Sequence, residues 1–164
     1  MKLRVELIPE RAFRQNARSV LSDEVWSLIR HDAYDRACNK CEVCGYEGEL
    51  HAHEVWEWKW KNPKEGTQKL VGIKVLCPLC HEAVHLGRAT VMGRGQIAKE
   101  HLREVNGWTE KKLNTYLMNV MKKHAFKSKV FKWVLDISIL DRQVKEAEDA
   151  VKVISVLGEG TGDA

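Results

Sequence analysis

The chain has 164 residues, 44% hydrophobic and 30% charged, with a formal net charge of +4. That length suits one domain and that balance a globular fold; no apolar run is long enough for a bilayer span or a signal-peptide core. A cytoplasmic address is expected, where reducing conditions disfavour disulfides and five cysteines need another purpose. The charge is uneven: six acids against three bases from Asp141 onward leave −3 there and +7 on residues 1–140. A basic body suits a polyanion such as nucleic acid, and a solvated Lys/Arg surface gives the same charge count.

Residues 3–7 (Leu-Arg-Val-Glu-Leu) alternate as a short strand would. Ser22-Asp23-Glu24 offers N-cap chemistry for a helix through Trp26, Leu28, Ile29 and Tyr34, which runs into the first cysteines. Leu50 to Trp60 reads as a strand, paired as a hairpin with Leu70 to Leu76 across the turn Lys61–Gly66. Pro78 suits the first turn of a helix, where its missing N–H costs nothing. Beyond Gly87 the pattern is helical: one segment from Gln96 to Val105 is broken by Asn106-Gly107. A second begins at Thr109 and carries Leu113, Leu117, Val120 and Met121 on one face. Phe131 to Ile139 alternates as a strand. A charged helix over 141–157 and a disordered Gly-rich tail over 158–164 close the chain. Helices and strands mix without a βαβ rhythm, so the fold class is α+β, with residues 1–140 as one domain around a metal-bound core at 38–90.

Cys41-x-x-Cys44 and Cys77-x-x-Cys80 supply four thiolates in two tight pairs, the donor set and spacing of a structural Zn²⁺ site. Cys38 also forms a Cys-x-x-Cys with Cys41. Gly45, which accepts positive φ, favours the Cys41/Cys44 pair and leaves Cys38 buried at the helix end. Between and after the pairs lie His51-Ala52-His53-Glu54 and His81-Glu82-Ala83-Val84-His85. His81 and His85, four apart, share one helix face; a strand bringing His53 to that face would complete a three-ligand metal set with open positions. His51 is read as a surface residue. Glu54 could be a ligand, a general base, or the acid that fixes an imidazole.

Leu50-His51-Ala52-His53-Glu54, followed by Leu76-Cys77-Pro78-Leu79-Cys80-His81, resembles the HNH endonuclease pattern with its four-cysteine zinc site. Ala52-His53-Glu54-x-Trp56-Glu57, His85-x-Gly87-Arg88 and His101-Leu102-x-x-Val105-Asn106-Gly107-Trp108 extend the resemblance to bacterial HNH endonucleases as far as about Leu140. The resemblance implies a ββα-metal, treble-clef-like core with flanking helices and a C-terminal strand. It also implies hydrolysis of DNA phosphodiester bonds with a second divalent ion (Mg²⁺, Mn²⁺, Ni²⁺ or Zn²⁺) beside the structural Zn²⁺. Carried over, His53 and His81 take ligand positions and His85 a further one, with His53, Glu54 and His81 as the catalytic residues. Two positions depart from the pattern: Glu54 stands where the family has its base histidine, and Gly72 where it has asparagine. These departures keep open a second reading, a cleavage-deficient module that binds DNA or protein.

Trp56, Trp58 and Trp60 alternate to one strand face, read as core ahead of a base-stacking stripe. Lys59, Lys61, Lys64 and Lys69 are expected to bring positive charge near the site. Five lysines between Lys122 and Lys132 read as a solvated helix end.

Overall fold

A computed structural model describes residues 2–159. The architecture is α+β. Helices α1 (Ala17–Val20) and α2 (Asp23–Arg36) lead into a long hairpin of β1 (His51–Trp60) and β2 (Glu65–Leu76). Helices α3 (Pro78–Val84), α4 (Leu86–Val91), α5 (Gly95–Asn106) and α6 (Glu110–Lys127) follow, then β3 (Lys132–Asp136) and α7 (Asp141–Glu159). Local chemistry sets several boundaries as the sequence predicts. The Ser22 side chain accepts from Val25 N to start α2, Pro78 opens α3, and Thr109 caps α6. Gly107 ends α5 at φ +62°, a left-handed cap that glycine takes without strain.

The sheet order is β1-β2-β3, with β1 antiparallel and β3 parallel to β2, so β1 is an edge strand. Val55 pairs with Gly72 and Trp56 with Leu70, which leaves Val71 as an extra, exposed residue in β2. That bulge lets Leu70 and Ile73, three apart, face the same side. On that side Ala52, Trp56, Leu70 and Ile73 pack against Trp26 and Ile29 of α2 and against Leu140, Val144 and Ala147. Thus α7 belongs to this core. The opposite face meets α3 to α6 through Leu76, Val84, Leu86, Leu102 and Leu113. Trp58 and Trp60 both set their rings edge-on to Trp133 of β3; Trp56 and Trp58 belong to the core as expected, whereas Trp60 is exposed. A Cβ on Gly66 would lie 2.5 Å from the Trp133 ring, so that packing requires glycine.

Several expectations are corrected. Residues 3–7 form no strand, although Leu3 and Val5 are buried as alternation requires. Their backbone groups bond to side chains and to a helix end. Asn106 Oδ1 accepts from Lys2 N and Leu3 N, Tyr116 Oη accepts from Val5 N, and Val84 O accepts from Glu6 N. Lys127 Nζ donates to Leu7 O at 2.7 Å, so one member of the lysine run is a half-buried clamp and not a solvated helix end. Cys38 is exposed: α2 ends at Arg36, and Cys38 and Asn39 both take φ +53°, turning the chain outward before the knuckle begins. On α6 only Leu113 is fully buried, and Met121 is exposed. The strand expected over Phe131–Ile139 is confined to β3, and Phe131 is exposed. Helix α7 runs to Glu159, and the remainder of the expected tail, 160–164, lies outside the described residues. Among the described residues no helix is long and apolar enough to cross a membrane.

Candidate metal centre

Cys41 and Cys44 sit on a turn closed by Gly45 N donating to Cys41 O and Cys41 N donating to Tyr46 O. Glu42 ties this turn to β2, donating its N–H to Val75 O and accepting from Val75 N. Across from it, Cys77 is the N-cap of α3, its sulfur accepting from Cys80 N at 3.4 Å. The four sulfurs lie within 4.8 Å of one another, and Cys44 Sγ stands 3.7 Å from Cys77 Sγ. Tetrahedral zinc with Zn–S bonds of about 2.3 Å has an S–S edge of about 3.8 Å, so the spacing and the donor chemistry both fit. These four cysteines are positioned to bind a metal ion. Burial works against ionising Cys41, yet the amides of Cys44, Cys77 and Val43 hold its thiol down at about 7. Burial and the neighbouring thiolates push Cys80 up, which is the repulsion a bound cation relieves.

One helical turn further, α3 presents His81, and His85 caps its C-terminus. The expected helix is shorter than the motif: it ends at Val84, and His85 stands at the junction with α4. The bond from His85 N to His81 O, 3.0 Å, preserves the i,i+4 relation. His53 reaches the same point from β1 and is 5% exposed. The ring centroids are 5.5 Å (His53–His81), 4.9 Å (His53–His85) and 4.7 Å (His81–His85) apart, and one nitrogen from each lies within 4.8 Å of the others. Burial, then the neighbouring histidines, lower His81 to about 3; burial, then His53, lower His85 to about 4. Both rings are therefore neutral near pH 7, with lone pairs available to a cation. His51, read as a surface residue, is half-exposed and stacks flat on His81 at 4.9 Å.

One carboxylate, missed by sequence reasoning, stands against the imidazoles. Glu6 lies on the clamped N-terminal segment. Its Oε1 accepts from Trp56 N, and its buried Oε2 stands 3.5 Å from His53 Nε2 with no hydrogen-bond partner among the described residues. Glu54 is not among the converging donors. It occupies the opposite strand face, where its Oε1 accepts from Arg18 N at the start of α1. Burial raises its pKa against these backbone hydrogen bonds.

A cavity of about 1070 Å³ runs along the β1 edge and is lined by His53, His81, His85 and Glu54 among others. Arg14, Arg18, Arg30 and Arg88 also line it. A second cavity of about 250 Å³ shares His51, His81, His85 and Arg88 with it, so the imidazoles stand between two openings. The positive charge comes from these arginines and not from the lysines expected to supply it. Strand rise of about 3.3 Å per residue carries the Lys61–Lys64 turn well over 20 Å from His53. Lys59 and Lys69, moreover, pair with Glu57 and Asp136. Comparison with family models, with curated proteins and with solved structures gives no match.

Proposed function

We propose that the chain is a metal-dependent phosphodiesterase of the HNH type, cleaving DNA, with zinc held by Cys41, Cys44, Cys77 and Cys80. The observation that carries this reading is the convergence of His53, His81 and His85 at the wall of an arginine-lined cavity. Three converging imidazoles with room beside them suit a divalent ion such as Zn²⁺, Ni²⁺ or Mn²⁺. Once bound, such an ion supplies Lewis acidity and charge stabilisation at a phosphate oxygen.

The chain's own residues set up the rest. Glu6 orients the His53 ring, as carboxylates behind metal-bound imidazoles commonly do. Arg88, beside His81 and His85, and Arg14 and Arg18 across the cavity attract and hold a polyanion. Arg30 Nε is buried without a hydrogen-bond partner among the described residues, a donor that a phosphate oxygen would satisfy. Glu54, with its pKa raised, takes a proton from water once it is released from the α1 amides.

That engagement of Glu54 with α1, together with glycine at position 72, favours a second reading: a module that binds nucleic acid without cutting it. Supercoiled plasmid incubated with Mg²⁺, Mn²⁺, Ni²⁺ or Zn²⁺ separates the two. The enzyme nicks it, and His53→Ala and His81→Ala stop nicking while remaining folded. Shifted gel bands with no nicking under every metal would leave the binding module.

A further inference from the structure

The segment His101–Trp108 has no role in the chemistry above, yet His101 Nε2 stands 3.1 Å from Cys80 Sγ. We propose that His101 is an outer-sphere hydrogen-bond donor to the cysteine metal centre, stabilising the charge on Cys80 and so retaining the ion. The packing explains how α5 delivers this ring. Ala98 and Leu102 are fully buried against Ala83 and Val84 of α3, and the small Ala98 and Ala83 side chains let the two helices approach closely.

Charge explains why a donor is needed there. Four thiolates around a divalent cation leave two negative charges uncompensated, and Cys80 is the most deeply buried of the four cysteines, at 0% exposure. Cys77 has the Cys80 amide, and Cys41 has the amides of Val43, Cys44 and Cys77. For Cys80 a side-chain donor from outside the cysteine set is within reach, His101. The ring is no fifth ligand, because the four cysteine sulfurs converge without it. Further along the same helix, Asn106 clamps Leu3, so α5 joins the cysteine centre to the segment that carries Glu6. None of this depends on the reading of the histidine cluster.

The test titrates the full chain with Zn²⁺ against a chromogenic chelator and records the Co²⁺-substituted spectrum, for His101→Phe, His101→Gln and His101→Ala. Phe fills the space without a donor, whereas the Gln amide still presents an N–H. The Phe and Ala variants are expected to hold zinc about 10- to 100-fold less tightly, the usual effect of removing an outer-shell partner. Their sulfur-to-cobalt charge-transfer band is expected to move to longer wavelength, since a thiolate without its donor gives up an electron more readily. Gln keeps most of the affinity and the band position. Should the Ala variant fail to fold, the Phe–Gln pair decides. Wild-type affinity and band in the Phe variant overturn the proposal. Equal losses in Phe and Gln, or a wild-type chain that takes up no zinc, overturn it as well.

Discussion

Replacing Glu6 by glutamine should move stability and ion binding in opposite directions. The amide carbonyl of the Glu6→Gln variant keeps the bond from Trp56 N, and its NH₂ group takes the place of Oε2, which is buried 3.5 Å from His53 Nε2 without a hydrogen-bond partner among the described residues. Leaving a buried acceptor unsatisfied costs about 1–3 kcal/mol. A neutral amide that can donate to the imidazole recovers part of that, about 1 kcal/mol, or a rise in melting temperature of about 2–4 °C in a chain of this size. Ion binding responds the other way, because a carboxylate behind an imidazole raises its basicity. Its loss weakens a metal about 10- to 100-fold, equivalent to about 1.4–2.7 kcal/mol. Calorimetric melting of the chain loaded with one zinc gives the first number, and isothermal titration of that species with Mn²⁺ or Ni²⁺ gives the second. A variant that melts lower and binds the second ion as tightly as wild type would show that Glu6 is a structural acid with no bearing on His53.

Asn106→Ala removes bonds to Lys2 N, Leu3 N, Leu3 O and Leu102 O, two of them at the buried Leu3. At about 1 kcal/mol for each protected bond the loss is about 2–3 kcal/mol, read from urea midpoints at constant slope. Acid should destabilise the chain through His81 and His85. An unfolded imidazole takes its proton near 6.5, but these folded rings take theirs at about 3 and about 4. Stability therefore falls as pH drops from 6.5 and stops falling once the folded rings are also protonated. His85→Gln should lose less stability than wild type between pH 7 and pH 4.5, and equal losses would remove the histidines as the cause. Chelation at neutral pH should unfold the cysteine turns and not merely silence an activity, visible as lost near-ultraviolet dichroism that zinc restores.

The legible parts of the sequence were those where local chemistry fixes geometry. Two Cys-x-x-Cys pairs, a proline after Cys77 and a Ser22 cap act over a few residues, and each stands where it was expected. Alternation at residues 3–7 reported burial correctly but said nothing about what satisfies the backbone, and side chains of α5 and α6 do so in place of a sheet. Glu6 was invisible for the same reason: its partner Trp56 is 50 residues away, and no spacing rule connects an N-terminal segment to a strand edge. The lysines around the hairpin turn were near His53 in sequence only, since an extended strand separates residues faster than any other element.

The two candidate centres share one short helix, and that sharing ranks them. Cys77 and Cys80 occupy the N-cap and third residue of α3, while His81 and His85 occupy its next position and its C-cap. A seven-residue helix is too short to persist alone in water. Its direction is therefore set by what anchors its ends: the sulfur cluster at one, and the packing of Val84 and Leu86 on α5 and the N-terminal segment at the other. Rings whose nitrogens must converge within a few ångströms depend on that direction, but the sulfurs, fixed by two separate turns and β2, do not depend on the rings. Order thus runs from the cysteines to the histidines. Stripping the ion from the sulfurs should scatter the imidazoles, whereas replacing an imidazole should leave the cysteine turns standing.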